Sequence, residues 1–215
     1  MTTEALLNCS RCGNPSKVEQ YSSINVSETP ELKEKVKDGS LFMWECPHCG
    51  TPNLVRSQLL YHDPSEKLMV WITGGSAELE SRIATAYAGI EEMSAYTARF
   101  VADAGSLIEK VKIFDSGLDD IIMEMCKYVT KMEICDQNKE NAEAIMDAAF
   151  KFLKLDGADN EITLAYPLDG QMQMIEVGFK VYEDCRGIIN RNPAILESAK
   201  GFVRIDSEWL AAFFR

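Results

Sequence analysis

Histidine is nearly absent from this chain of 215 residues: there are two, His48 and His62. A histidine-based catalytic triad would therefore have to use one of these. No phosphate-cradling glycine loop, serine elbow or dinucleotide fingerprint occurs, which removes the common nucleotide and hydrolase signatures. No apolar run approaches the roughly 20 residues of a membrane span, and Met1 to Asn8 does not read as a signal peptide, so the expected location is cytoplasmic. Basic residues are also scarce. Lys and Arg number 22 against 34 Asp and Glu, a net charge of −12 with most of the acidic excess after Gly74. The densest positive run, Lys33, Lys35 and Lys37, is interrupted by Glu34 and flanked by Glu31 and Asp38. That pattern is a solvated helix face, not a phosphate-binding stripe, and it disfavours nucleic acid as a partner. Neither repeats nor low-complexity segments are present.

What the chain does have is cysteine, in a particular arrangement. Cys9-Ser-Arg-Cys12-Gly13 and Cys46-Pro-His-Cys49-Gly50 each present two thiols at knuckle spacing, followed by a glycine. A knuckle turns sharply so that backbone N–H groups point at the sulfurs, and glycine supplies the backbone freedom that the turn needs. Cys9, Cys12, Cys46 and Cys49 are therefore the expected ligands of one metal ion. Zinc is the expected ion, with rubredoxin-type iron, which also uses paired Cys-x-x-Cys-Gly knuckles, as the alternative. Four protein thiolates leave no open position for water or substrate, so the ion should be structural. Such an ion can contribute on the order of 10 kcal/mol to folding. The remaining Cys126, Cys135 and Cys185 are an odd number in helical or mixed segments and read as reduced core thiols.

The 33 residues between the knuckles, Gly13 to Glu45, must hold structure of their own. Thr29 reads as an N-cap, Pro30 as the first helical residue and Gly39 as the stop of a short charged helix. Lys17 to Val26, Ser40 to Glu45, Asn53 to Tyr61 and Leu68 to Ile72 read as strands, the last two forming a hairpin across Asp63-Pro64. The first module is thus a zinc ribbon with a helical insertion, residues 1–74.

These residues resemble the CpXC proteins of bacteria and archaea. The likeness rests on the two knuckles, Ile24-Asn25-Val26-Ser27-Glu28-Thr29-Pro30-Glu31-Leu32-Lys33, Asp38-Gly39-Ser40-Leu41, the Cys-Pro-x-Cys-Gly form of the second knuckle, and Leu60-Tyr61-His62-Asp63-Pro64. Ile113-Phe114-Asp115-Ser116-Gly117-Leu118-Asp119-Asp120 is similar as well, so the resemblance covers roughly Leu6 to Ile134. It implies zinc at Cys9, Cys12, Cys46 and Cys49 and assigns no reaction. The first knuckle departs from the family form in having Ser10 where the second has Pro47, which leaves the thiols intact.

Residues 75–215 read as an acidic helical and α+β region. Ser76 caps a long amphipathic helix carrying Leu79, Ile83, Ala86, Ile90, Met93, Thr97 and Phe100, and a second helix starts at the capping box Ser106-x-x-Glu109. A third follows Asp119-Asp120, with the stripe Ile121, Ile122, Met125, Cys126, Val129 and Met132 reading as core. Asn141 to Leu153 has helical spacing, although Phe150 to Leu155 fits a strand equally. Glu161 to Tyr166 and Met172 to Val177 form a hairpin over Pro167-Leu168-Asp169-Gly170, Phe179 to Ile189 is a helix, and Phe202 to Ile205 is a short strand before a last helix capped at Asp206 or Ser207. The fold class is α+β, with a small antiparallel sheet in the C-terminal region. His48 reads as facing solvent or the metal shell, His62 as a turn cap, and Asp119-Asp120 as a cap with a dipole contact.

The function expected from these features is a non-catalytic, zinc-dependent binding or adaptor protein that meets another protein or a second copy of itself. The alternatives are a nucleic-acid-associated ribbon, an iron electron carrier, and an enzyme with converging carboxylates in the C-terminal region.

Overall fold

Each knuckle is the turn of its own two-stranded ribbon in the computed structural model, which describes residues 1–214. Strands β1 (Thr2–Asn8) and β2 (Pro15–Tyr21) pair antiparallel around Cys9–Gly13. After β3 (Ser23–Asn25) the chain forms helix α1 (Glu31–Lys37) and a 3-10 turn at Ser40–Phe42. Strands β4 (Met43–Glu45) and β5 (Pro52–Leu54) then carry the second knuckle. The expected single strands are broken. Lys17 to Val26 divides at Ser22, Ser40 to Glu45 begins as a 3-10 turn, and Asn53 to Tyr61 is interrupted by Val55–Gln58 before β6 (Leu59–Asp63). Strand β7 (Leu68–Ile72) pairs with β6 in the expected hairpin.

Two local caps differ from the sequence reading. The Thr29 hydroxyl donates to the Asn25 carbonyl at 3.1 Å instead of capping α1, and the backbone is already helical at Pro30. Asp63, not His62, holds the β6–β7 turn, accepting from the Ser65 and Glu66 amides at 3.1 and 3.3 Å. Burial in the strand lowers the His62 pKa, and its Nε2 lies 3.1 Å from the Tyr96 hydroxyl.

The long helix expected from Ser76 to Phe100 is three elements. Ser76 does cap helix α2 (Ala77–Tyr87), accepting from the Leu79 amide at 3.3 Å. The helix ends before Gly89, whose φ of +82° is left-handed. A 3-10 turn at Glu91–Ala95 follows, and Thr97-Ala-Arg-Phe-Val101 becomes strand β8, parallel to β7. The apolar spacing of three and four continued across this break and concealed a βαβ crossover. Helix α3 (Ala104–Asp115) starts earlier than the Ser106 box, because Asp103 is the acceptor for the Ser106 amide at 2.7 Å.

Helix α4 (Asp120–Gln137) begins as expected, with Asp119 accepting from the Ile121 and Ile122 amides. Its first two turns are buried on every face, and only from Tyr128 onward does an exposed side open, on which Met132 is 40% accessible. Helix α5 (Ala142–Asp147) is short, and Lys151–Asp156 takes the strand option as β9. Strands β10 (Glu161–Leu168) and β11 (Gln171–Val177) form the hairpin. The turn lies at Asp169-Gly170, both left-handed, so Pro167 falls inside β10. Helices α6 (Phe179–Asn190) and α7 (Pro193–Ser198), strand β12 (Phe202–Val203) and helix α8 (Ser207–Ala211), capped by Asp206, complete the chain.

The chain divides into two compact units, residues 1–108 with 201–203, and residues 109–200 with 204–215. The division falls within α3 and not at Gly74-Gly75, because β8 and β12 extend the sheet begun by β6 and β7. In the first unit a five-stranded mixed sheet runs β12-β8-β7-β6-β3. Trp71, Tyr87, Phe100 and Phe202 meet edge-on or stacked with centroids 5.1 to 6.3 Å apart, seating α2 on this sheet. In the second unit a three-stranded antiparallel sheet, β11-β10-β9, accompanies the helices. There α4 packs on α6, and Phe150 stacks on Tyr166 at 4.3 Å. The fold is therefore mixed α+β, with a parallel component that the sequence pattern hid. No described helix is long and apolar enough to cross a membrane.

Candidate metal centre

The two knuckles have the same backbone. In the first, the Gly13 amide donates to the Cys9 carbonyl at 2.9 Å and the Cys9 amide to the Asn14 carbonyl at 3.1 Å. In the second, Gly50 donates to Cys46 at 2.8 Å and Cys46 to Thr51 at 3.0 Å. Gly13 and Gly50 sit at φ of +71° and +67°, a conformation that L side chains rarely adopt. The shared turn points amides at sulfur: Arg11 N–H lies 3.4 Å from Cys9 Sγ. Foremost through the Cys12 amide, and against the effect of burial, the knuckle holds the Cys9 thiol down to about 6. The Thr51 hydroxyl, then its amide, likewise lower Cys49. Cys12 moves the other way: although the Asn14 backbone lowers it, burial and the neighbouring sulfurs of Cys49, Cys46 and Cys9 push it up to about 11. One thiol of each knuckle, Cys9 and Cys49, is thus held toward the thiolate that binds metal.

The four sulfurs of Cys9, Cys12, Cys46 and Cys49 lie within 4.8 Å of one another. Cys9 and Cys49 are 3.6 Å apart, Cys12 and Cys46 3.7 Å. A disulfide would need about 2.05 Å. Four sulfurs about 2.3 Å from one tetrahedral ion would be about 3.8 Å apart, so the arrangement fits a metal ion. Cys9 and Cys46 are buried, Cys49 is partly buried and Cys12 is exposed, which places the cluster at the rim of the first unit. His48 is exposed in its knuckle, and the cluster contains no histidine.

Residues 7–127 match the family described as CpXC protein. The chain belongs to the CpXC family. No curated protein and no solved structure matches it. All four knuckle cysteines lie within the matched segment, as do α3 and the first part of α4, residues 120–127.

Asn53 is a part of the centre that cysteine spacing alone does not reveal. Buried on β5, it accepts from the Ser10 amide at 2.8 Å, donates to the Thr51 carbonyl at 2.7 Å and lies 3.6 Å from Cys9 Sγ. One amide side chain therefore fastens the first knuckle to the second. Its sequence signal is a polar residue at the inward position of a strand adjoining a knuckle. Asn53→Ala leaves the Ser10 N–H without this acceptor, which should cost about 1–3 kcal/mol and weaken metal affinity about 10–100-fold. Competition with a chromophoric chelator measures the affinity change.

The C-terminal carboxylates weighed as an alternative site are engaged in pairs and caps among the described residues. A cavity of 200 Å³ in the second unit is lined by Glu124, Lys127, Lys131, Lys151 and Asp206 among others, but its charges are spent on structure. Lys127 pairs with Glu124 at 2.6 Å, Lys131 donates to the Met146 and Ala148 carbonyls that end α5, and the Asp206 side chain caps α8. Asp119 is a cap, and Asp120 pairs with Lys110 at 2.7 Å. The other three cysteines are free and buried.

Proposed function

We propose that the chain is a zinc-binding, non-catalytic adaptor. In this reading Cys9, Cys12, Cys46 and Cys49 hold one structural zinc ion in a zinc-ribbon module, and a groove in the same unit receives an apolar segment of a protein partner. The gathering of four sulfurs from two knuckles of like backbone supports a metal ion at this place, and zinc is the ion that the family resemblance favours. A four-thiolate shell leaves the ion no position for substrate, which supports a structural role. The adaptor reading draws on a groove of 1230 Å³ lined by Phe42, Met43, Leu54, Val55, Ile72 and Ile108, with smaller and polar neighbours. Met43 and Leu54, cross-strand partners on β4 and β5, are 46% and 50% exposed there. A groove of this size and apolar character is a recognised docking feature for protein segments. Arg56, Asp38 and Asp103 line it as well, so its polar margin carries both signs of charge.

Titration of metal-free protein with zinc tests this reading. One equivalent should protect four thiols from modification, and Leu54→Glu should abolish fluorescence of an apolar dye in the groove without altering zinc content. Protection of fewer thiols contradicts the zinc site, and dye binding unchanged by Leu54→Glu contradicts the groove.

A further inference from the structure

The second unit leaves one sheet edge open, and the two edges of that sheet are built differently. Strand β9, at one edge, carries Lys151 and Lys154, and its pairing with β10 contains a register shift between Thr163 and Leu164. Lysines and bulges are the usual protections of a strand edge against pairing with another chain. Strand β11, at the other edge, has none of these. Its sequence Gln171-Met-Gln-Met-Ile-Glu-Val177 contains no lysine or proline, and its register with β10 is unbroken over seven residues. Among the described residues, β11 pairs only with β10, and no loop or cap hydrogen bond reaches its backbone. Its outward row of N–H and C=O groups is therefore a free template for another strand.

The side chains point to the occupant. Met172 and Met174 are 67% and 71% exposed, among the most accessible large apolar side chains of the described residues. Side chains alternate along a strand, so both lie on one face, with Gln173 and Ile175 on the other. A two-fold antiparallel pairing centred on Gln173 would set Met172 of one strand against Met174 of the other, twice, and place Glu176 opposite Gly170. No like charges would then face one another. Centring on Met174 would instead set Met172 against Glu176, leaving a charge among the methionines. Register follows the apolar pattern when one face is to be covered.

We propose that β11 pairs antiparallel with β11 of a second copy of this chain, about a two-fold axis at Gln173, joining two three-stranded sheets into one of six strands. The contact is isologous and self-complementary, as a closed dimer requires. It uses only residues of the second unit and does not depend on the metal or groove readings. Seven residues form a smaller contact than a standard stable interface, so the dimer dissociates in the micromolar range.

Sedimentation equilibrium of the full metal-loaded chain tests the proposal. The mass should rise with concentration from 24.1 kDa for one chain toward twice that value. Met174→Lys, at an exposed position that leaves the fold intact by circular dichroism, should hold the chain at the single-chain mass. Leu6→Lys, at an equally exposed apolar site on β1, should dimerise as wild type does. A wild-type chain that stays at the single-chain mass at every concentration overturns the proposal. So does a Met174→Lys chain that dimerises normally, or one in which only Leu6→Lys fails to dimerise. Capture of a foreign strand at β11 by an otherwise monomeric chain would overturn it as well.

Discussion

Cys46→Ser should abolish stoichiometric metal binding and produce the largest destabilisation of any single substitution in the first unit. Cys46 is 1% exposed, and its sulfur lies 3.7 Å from Cys12 Sγ. A serine hydroxyl does not ionise to replace a thiolate, and the three remaining sulfurs lose the shell that balances their charge. The knuckles contribute little apolar burial of their own: among the residues of both knuckles, only Cys9 and Cys46 are buried. In the proposed reading their cohesion would come from the ion, since a structural zinc can supply on the order of 10 kcal/mol. Even half of that would lower Tm by about 10–20 °C in a chain of this length. Thermal melts of the variant and of wild type, each with its metal content measured, check this. A Cys46→Ser chain that keeps one equivalent of metal would show that the four-thiolate description is wrong.

Glu109→Gln should destabilise the second unit by about 3–5 kcal/mol, although it touches neither the metal nor the groove. The Glu109 carboxylate is buried and accepts from Lys127 at 3.0 Å, Lys151 at 2.9 Å and the Phe152 amide at 2.9 Å, linking α3, α4 and β9. Burial alone would raise its pKa, but the charges of Lys127, Lys151 and Lys110 outweigh that effect and hold it down to about 2. In the glutamine, Oε1 can still accept from Phe152 N–H and Lys127, but the side chain is neutral and its amide N–H would face Lys151 Nζ. The buried Lys127 then keeps Glu124 as its carboxylate partner, and breaking a buried ion pair by neutralising one partner costs about 3–5 kcal/mol. The pH dependence follows from the same shift. A carboxyl depressed in the folded chain stabilises it above the unfolded pKa of about 4.5, and that contribution is lost as pH falls from about 4.5 toward 2. Wild type should lose on the order of 3 kcal/mol from this group over that window. Glu109→Gln, already without it, should show a flatter profile when stability is measured by denaturant titration at each pH.

The four-cysteine cluster was legible because its determinants are local. A Cys-x-x-Cys-Gly turn encodes its own amide-to-sulfur geometry, and the glycines at positions 13 and 50 adopt the left-handed backbone that this turn demands. Asn53 was not legible, since nothing beside it in sequence shows that its amide reaches Ser10, 43 residues away. Asp119 was read correctly as a cap for a similarly local reason. The Asp103 cap was missed because Ser106 and Glu109 mimic a capping box while Glu109 serves a buried ion network instead. The break at Gly89 was overridden by apolar residues that happened to keep helical spacing. What distinguishes Thr97 to Val101 as a strand is its position beside β7, a long-range fact. The exposed methionines of β11 were visible as part of a hairpin, but their position on an open edge required the sheet order.

One structural zinc ion, held by Cys9, Cys12, Cys46 and Cys49, is the proposal with the widest consequences. Elemental analysis of the purified chain, with its visible spectrum and a thermal melt before and after a strong chelator, tests it in one preparation. One zinc per chain, no absorption in the visible region and a large chelator-induced fall in Tm are expected. One iron per chain with thiolate charge-transfer bands would contradict the zinc assignment and make electron transfer the function, and a melt unchanged by metal removal would contradict the structural role.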